Sequence, residues 1–316
     1  FKNPTGLSHP ELLRVQADTQ HSGVIVNDVS RIGFMGGAEH TWWKDEDFPD
    51  LLTQKAENFI EENKNQPLFL YFSFHDIHVP RIVHKRFEGK SQMGPRGDAI
   101  VQMDWMTGKV MEALEARGLV ENTLVIFTSD NGPVLNDGYE DQAVELLGNH
   151  LPAGPYRGGK YSIYEGGHRV PTIVHFPAKI KAGKSSSALW NQVDLMASLS
   201  NLAGYNTSTD EAIDSEDVLD AIIGKSDVGR AKMLEEAFTM AYRKGPWKYI
   251  APTEQAHDWI REIKNIEGGI STQAQLYNLK EDPSEKTNLI SAQPEIASEL
   301  KDLLEQTINK TSSNQR

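Results

Sequence analysis

Residues 123–129 (TLVIFTS) form a continuous apolar run that ends in Asp130-Asn131-Gly132, and this junction constrains the fold more than any other stretch of the chain. A run of that length without polar alternation is the pattern of a strand covered on both faces, as in a parallel α/β sheet. In such sheets ligands gather beyond the carboxyl ends of the strands, where chain direction leaves a crevice. Asp130 and Asn131 would there aim a carboxylate and a carboxamide oxygen at one spot. Hard oxygen donors of this kind suit Ca²⁺, or Mg²⁺, better than a soft metal. The same residues also suit a polar turn closing a core strand, since Asn-Gly is a common turn pair. Spacing does not separate the two readings.

The neighbouring sequence repeats the pattern. Residues 68–74 (LFLYFSF) predict a second buried strand, which runs into His75-Asp76-Ile77-His78-Val79-Pro80. Leu51, Leu52, Ala56, Phe59 and Ile60 predict a helix over 50–62. Ile100, Met103, Thr107, Met111 and Leu114 predict another over 97–117, with Gly118 just past its end. Strands alternating with helices imply crossover units, so the expected fold class is α/β: a large mixed, mostly parallel sheet flanked by helices. A strand over 170–176 and a helix over 192–202 continue it. The polar, acidic stretch 206–229 marks a boundary, giving an α/β domain over 1–227 and a smaller α+β subdomain over 228–316. In the latter, short antiparallel strands at 248–250 and 275–279 precede a closing helix over 296–308.

The formal net charge of −13 argues against nucleic acid and anionic membrane surfaces as general partners. An anionic substrate would need a local basic cluster, which Arg81, Lys85, Arg86, Lys90 and Arg96 supply against one acid, Glu88. Cysteine is absent, which removes disulfides, thiolate metal sites and a cysteine nucleophile. Residues 132–160 form a connection too long for mere linkage. It ends in Tyr156-Arg157-Gly158-Gly159-Lys160.

His78, the Asp130-Asn131 pair and Lys160 therefore lie where strand ends could converge. A hard cation, an imidazole and an ammonium around one pocket would bind a tetrahedral oxyanion. The metal and Lys160 would balance charge on its oxygens, while His78 could give a proton to a departing alkoxide.

Three blocks carry a resemblance: His75-Asp76-Ile77-His78-Val79-Pro80, Phe127-Thr128-Ser129-Asp130-Asn131-Gly132, and the segment 157–171 (RGGKYSIYEGGHRVP). Together they resemble consecutive blocks of the type I sulfatases, the arylsulfatase-like branch of the alkaline phosphatase superfamily. Residues 276–283 and 286–289 are similar to that family's closing segment. The resemblance implies an alkaline phosphatase-like fold and hydrolysis of sulfate monoesters. It implies Asp130 and Asn131 as calcium ligands, Lys160 on a sulfate oxygen and His78 beside the bridging oxygen. His75, Asp76, Arg81 and Arg157 lie near those blocks as candidate substrate contacts. The wording of these blocks looks like that of bacterial enzymes acting on sulfated glycans, which implies a periplasmic or secreted location.

The chain also departs from the family pattern. A Cys/Ser-x-Pro/Ala-x-Arg motif, the source of the family's formylglycine nucleophile, does not occur in the 316 residues, nor do the family's paired aspartates. The expectation is a carboxyl-terminal portion, inactive alone, that binds calcium weakly. Absent strands would leave apolar surface and open sheet edges, favouring self-association. A phosphomonoesterase or phosphodiesterase of the same superfamily, and a non-catalytic remnant that binds a sulfated ligand, are the alternatives.

Overall fold

The computed structural model describes residues 4–33, 42–208, 210–254 and 259–314. The chain forms two compact units, Phe1–Val120 with Leu135–His150, and Glu121–Val134 with Leu151–Arg316.

The first unit holds the hairpin β1 (Ile25–Val26) and β2 (Val29–Ser30), then helices α1 (Phe48–Asn63) and α2 (Gly94–Glu115). Pro49 stands in the first turn of α1, where a missing N–H costs nothing, and Asp45, Glu46 and Asp47 favour the positive helix start. Pro49, Thr53, Ala56 and Ile60 form its buried face, and α1 packs on α2. Asp98 ties the start of α2 to the preceding loop by accepting from the Gly89 and Ser91 amides, both at 2.8 Å. Gly118 ends the helix at φ +66°, with its amide on the Glu115 carbonyl and that of Leu119 on Leu114, both 2.9 Å. This is the paired C-terminal closure that a left-handed glycine permits. The buried stripe differs from the expected one: Ala99, Gln102, Met106, Ala113 and Leu114 are buried, and Ile100, Met103, Thr107 and Met111 are half-covered. The polar Gln102 faces inward because it has partners there, and apolar spacing cannot register that.

Residues 68–74 depart from the expected buried strand. They pair with no strand among the described residues, and alternate side chains face out, Phe69 at 73% and Tyr71 at 83% exposure. One face is covered and the other open, so the run is apolar beyond what its own unit buries.

The second unit contains β3 (Val125–Thr128), the one-turn helix α3 (Glu165–His168), β4 (Thr172–His175), α4 (Asp194–Leu202) and α5 (Leu219–Ile222). It continues with β5 (Lys232–Glu236), β6 (Met240–Lys244), β7 (Trp247–Ile250), α6 (Trp259–Lys264), β8 (Gln275–Asn278) and α7 (Pro294–Asn314). β3 and β4 pair antiparallel, Val125 opposite His175 and Thr128 opposite Thr172. All ladders among the described residues are antiparallel, where alternating strands and helices predict parallel ones. The long 132–160 connection returns the chain beside β3 in the reverse direction. β3 is half-covered rather than buried, and Ile173 of β4 is 62% exposed.

The expected carboxyl-terminal antiparallel sheet and closing helix are present. β5-β6-β7-β8 is a four-stranded meander. Its alternating side chains serve two faces. Tyr242, Tyr249 and Leu276 pack on Ala297, Leu300 and Leu304 of α7. Full burial of each large apolar side chain is worth roughly 1.5–3 kcal/mol. On the opposite face, Ala241, Ile250 and Tyr277 pack on Ile163 and Tyr164, so the segment containing Lys160 rests on a rigid sheet. No helix among the described residues is long and apolar enough to cross a membrane.

Candidate functional site

In the first unit the polar cluster of residues 75–81 is built on buried Val79, which packs with Val29 and Tyr139. The Asp76-Ile77 and Val79-Pro80 peptide bonds are cis. Arg81 anchors the cluster from inside: its Nη1 reaches Asp141 Oδ2 at 2.6 Å and its Nε donates to the Ile77 carbonyl at 3.2 Å. Its side chain is buried, which places the charge under the loop rather than on its surface. His75 stacks on Phe48, ring centroids 4.8 Å apart, with Nε2 3.8 Å from Asp45 Oδ1. Asp45 is itself held by the Arg31 guanidinium at 3.0 and 2.5 Å. Burial pulls the His75 imidazole below its ordinary pKa, and Asp45 only partly opposes this. Burial likewise pushes the Asp76 carboxyl up to about 6, against the Gln102 amide at 3.0 and 3.2 Å. His78 is half exposed. Its Nδ1 lies 2.8 Å from the Val79 carbonyl, an acceptor that requires the proton on Nδ1 and leaves Nε2 facing outward, 4.0 Å from buried Asp137.

In the second unit, Asp130 and Asn131 follow β3 as expected. Asp130 is exposed and its Oδ1 accepts the Asn131 amide at 2.9 Å. The Asn131 side-chain NH₂ donates to the Gly132 carbonyl at 2.8 Å, which leaves the amide oxygen for another partner. Two backbone bonds join this turn to the segment around Lys160. The Gly132 amide donates to the Gly167 carbonyl, and the Lys160 amide to that of Pro133, each at 2.9 Å. The approach demands glycine: a Cβ on Gly132 would stand 1.8 Å from the Gly166 oxygen, and one on Gly159 2.4 Å from that of Pro133. Lys160 is half-buried with Nζ 5.3 Å over the Tyr161 ring.

Arg157 sits over the Tyr164 ring at 4.2 Å and its Nε donates to Glu267 Oε2 at 2.5 Å. Burial opposes its charge, but Tyr164 and Glu267 outweigh it and hold the guanidinium above its ordinary pKa. A cavity of about 370 Å³ opens beside it, lined also by Tyr156, Ser284 and Lys286.

Among the described residues no three His, Asp or Glu side chains are grouped to hold a metal. The Asp130-Asn131 turn carries two adjacent hard oxygen donors, of the type calcium takes but fewer than it needs.

Sequence reasoning missed one set of charges. Lys248 of β7 is fully buried, with Nζ 3.0 Å from Glu165 Oε1, 2.7 Å from Glu235 Oε2 and 3.5 Å from Glu285 Oε1. Glu165 Oε2 also lies 3.3 Å from Arg243 Nη1 and 3.8 Å from Nη1 of half-exposed Arg169. Burial opposes the Lys248 charge, but Glu235, Glu165 and Glu285 outweigh it. Burial pushes the Glu285 carboxyl up to about 7. The one signal in the sequence was a lysine in an otherwise apolar strand; the three glutamates are scattered.

Comparison with known proteins places the chain in one family. The sulfatase family model matches residues 8–205, and that of the N-sulphoglucosamine sulphohydrolase carboxyl-terminal region matches residues 159–313. An N-acetylgalactosamine-6-O-sulfatase of Bacteroides thetaiotaomicron is 46% identical over 96% of this chain, which spans 59% of that relative's length. A solved structure from work on glycosaminoglycan metabolism by the same organism aligns with a TM-score of 0.93 at 45% identity, over 97% of this chain and 64% of its own. A Pseudoalteromonas sulfatase structure aligns at 0.69 and 24% identity, over 84% of this chain and 53% of its own. The shared fold is the alkaline phosphatase-like α/β class.

Proposed function

Because the chain belongs to the sulfatase family, we propose that it supplies the oxyanion-binding part of a sulfate-monoester hydrolase acting on sulfated carbohydrate. The observation that carries this reading is the backbone joint at Gly132–Gly167 and Pro133–Lys160, which ties the loop bearing the two hard oxygens to the loop bearing the ammonium. A sulfuryl group in transfer carries negative charge on its outer oxygens, and opposite charge fixed beforehand stabilises it. Lys160 contributes that charge directly. Asp130 and Asn131 would hold Ca²⁺, or Mg²⁺, as two of the about six to eight oxygen ligands calcium takes. Bound there, the ion would add charge for the same oxygens.

In the first unit His78 would assist the leaving group through Nε2, since the Val79 carbonyl holds the Nδ1 proton. His75 and Asp76 would contact the substrate beside it, with buried Arg81 supporting their loop, and Arg157 would be a further substrate contact in the second unit. The nucleophile, a formylglycine, would come from outside these 316 residues, so the chain by itself would be inactive and hold calcium weakly.

The activity named for the 46%-identical relative suggests a 6-O-sulfated N-acetylgalactosamine glycan as substrate, met in the periplasm or outside the cell. In the protein carrying this chain, Lys160→Ala should lower kcat/KM on such a glycan by about 10²–10³-fold. A loss under tenfold removes Lys160 from the reaction. Glycan binding by the native protein without any release of sulfate would make it a binding module instead.

A further inference from the structure

Beneath residues 157–167 lies a group of buried charges that the proposed reaction does not use. Lys248 stands on β7, which is paired on both sides, by β6 with Arg243 opposite Lys248 and by β8 with Tyr277 opposite. It faces the segment carrying Lys160, on the same side of the sheet as Ala241, Ile250 and Tyr277. From its ammonium two carboxylates lead into that segment. Glu165 belongs to it. Glu285 accepts the Glu165 amide through Oε2 at 2.6 Å, and its carbonyl accepts from Arg157 Nη1 at 2.7 Å. The Arg157 carbonyl in turn accepts the Gly166 amide at 2.8 Å, closing the segment on itself. Gly167 then holds Gly132, and Pro133 holds Lys160.

We infer that Lys248 is a positioning residue: by fixing the Glu165 and Glu285 carboxylates it sets residues 157–167, and through them the places of Lys160 and the Asp130-Asn131 turn. The inference rests on the function proposed for those residues. Three carboxylates this close repel one another, and Arg243, Arg169 and half-buried His168 lie at the margin of the group. Only Lys248 lies within 3.5 Å of all three glutamates among the described residues. A strand inside a meander is also a firmer base than a loop. Without Lys248 the guanidinium groups of Arg243 and Arg169 still face Glu165, but Glu235 and Glu285 lose the ammonium beside them and must take protons or move apart.

Hydrogen–deuterium exchange on Lys248→Met separates positioning from simple folding. The amides of 157–167 should lose protection by roughly tenfold or more while those of β6, β8 and α7 keep theirs. Affinity for inorganic sulfate, read by calorimetry, should fall at least fivefold. Should Lys248→Met fail to fold, Glu285→Ala removes the acceptor of the Glu165 amide and should give the same local pattern. Protection lost evenly across the sheet and α7 in both variants overturns the inference, as does unchanged protection of 157–167. If Lys160→Ala leaves sulfate affinity intact, the functional reading fails. If Lys160→Ala weakens it and Lys248→Met does not, only the positioning role fails.

Discussion

The main-chain amide of Lys160 donates to the carbonyl of Pro133 at 2.9 Å, so the ammonium-bearing residue and the Asp130-Asn131-Gly132 turn are neighbours through backbone rather than through mobile side chains. Twenty-six intervening positions thus end one residue-width from where they began, and the ligand geometry is inherited from loop closure.

That closure makes Gly132 a sensitive point. In Gly132→Ala the new methyl would meet the Gly166 oxygen at 1.8 Å, so the turn must lift off the loop. Overpacking of this kind costs about 1–3 kcal/mol. Thermal melting should show the loss, and sulfate affinity should drop with it. Melting and affinity both at wild-type values would mean the two loops are not joined.

Calcium binding should depend on the same turn. Asp130→Ala removes the charged donor, and calorimetric affinity for Ca²⁺ should fall on the order of tenfold or more. Mg²⁺ should compete poorly, because it demands tighter octahedral geometry. Calcium affinity indifferent to Asp130→Ala would sink the assignment.

Glu285 gives stability a pH dependence with a definite sign. Its folded pKa, about 7, lies above the ordinary 4.5, so the folded state holds the proton more tightly than the unfolded one. Its contribution is full below pH 4.5 and declines as pH rises toward 7 and beyond, by up to roughly 3 kcal/mol. Asp76, raised to about 6, acts in the same direction between about 4 and 6. His75, held below its ordinary pKa, works in the opposite sense, so the test is the difference: from pH 5 to pH 8 the melting temperature of Glu285→Gln should fall less, or rise more, than that of the native protein. A slope unchanged in this variant would assign the effect elsewhere.

Phe69 and Tyr71 present apolar surface on one side of 68–74, and such patches favour association. Replacing both with Ser should shift sedimentation toward a smaller species at high protein concentration. If the sedimentation profile does not change, this face is not the contact.

The sequence displayed local elements better than the pairing between them. Asp130, Asn131 and Lys160 stood in compact local blocks, and turn chemistry and glycine spacing are short-range properties. The helices α1, α2, α4 and α7 were legible for the same reason, as was the β7–β8 end of the meander. Strand direction was not: the run at 125–128 reads the same whether its partner runs parallel or antiparallel, and only the course of the 132–160 connection decides. Nor could apolar content say that 68–74 would be covered on one face alone. The Lys248 group was illegible because its glutamates lie 83, 13 and 37 positions away, and a buried charge is a property of its surroundings.

The meander meets α7 mainly through apolar side chains, whereas its other face joins apolar packing to a buried cluster of charges. Substitutions among Tyr242, Tyr249 and Leu300 can therefore tune how much heat the protein survives while leaving the chemistry of Lys160 alone. One layer thus has a face whose substitutions change heat resistance alone and a face whose substitutions also reach residues 157–167.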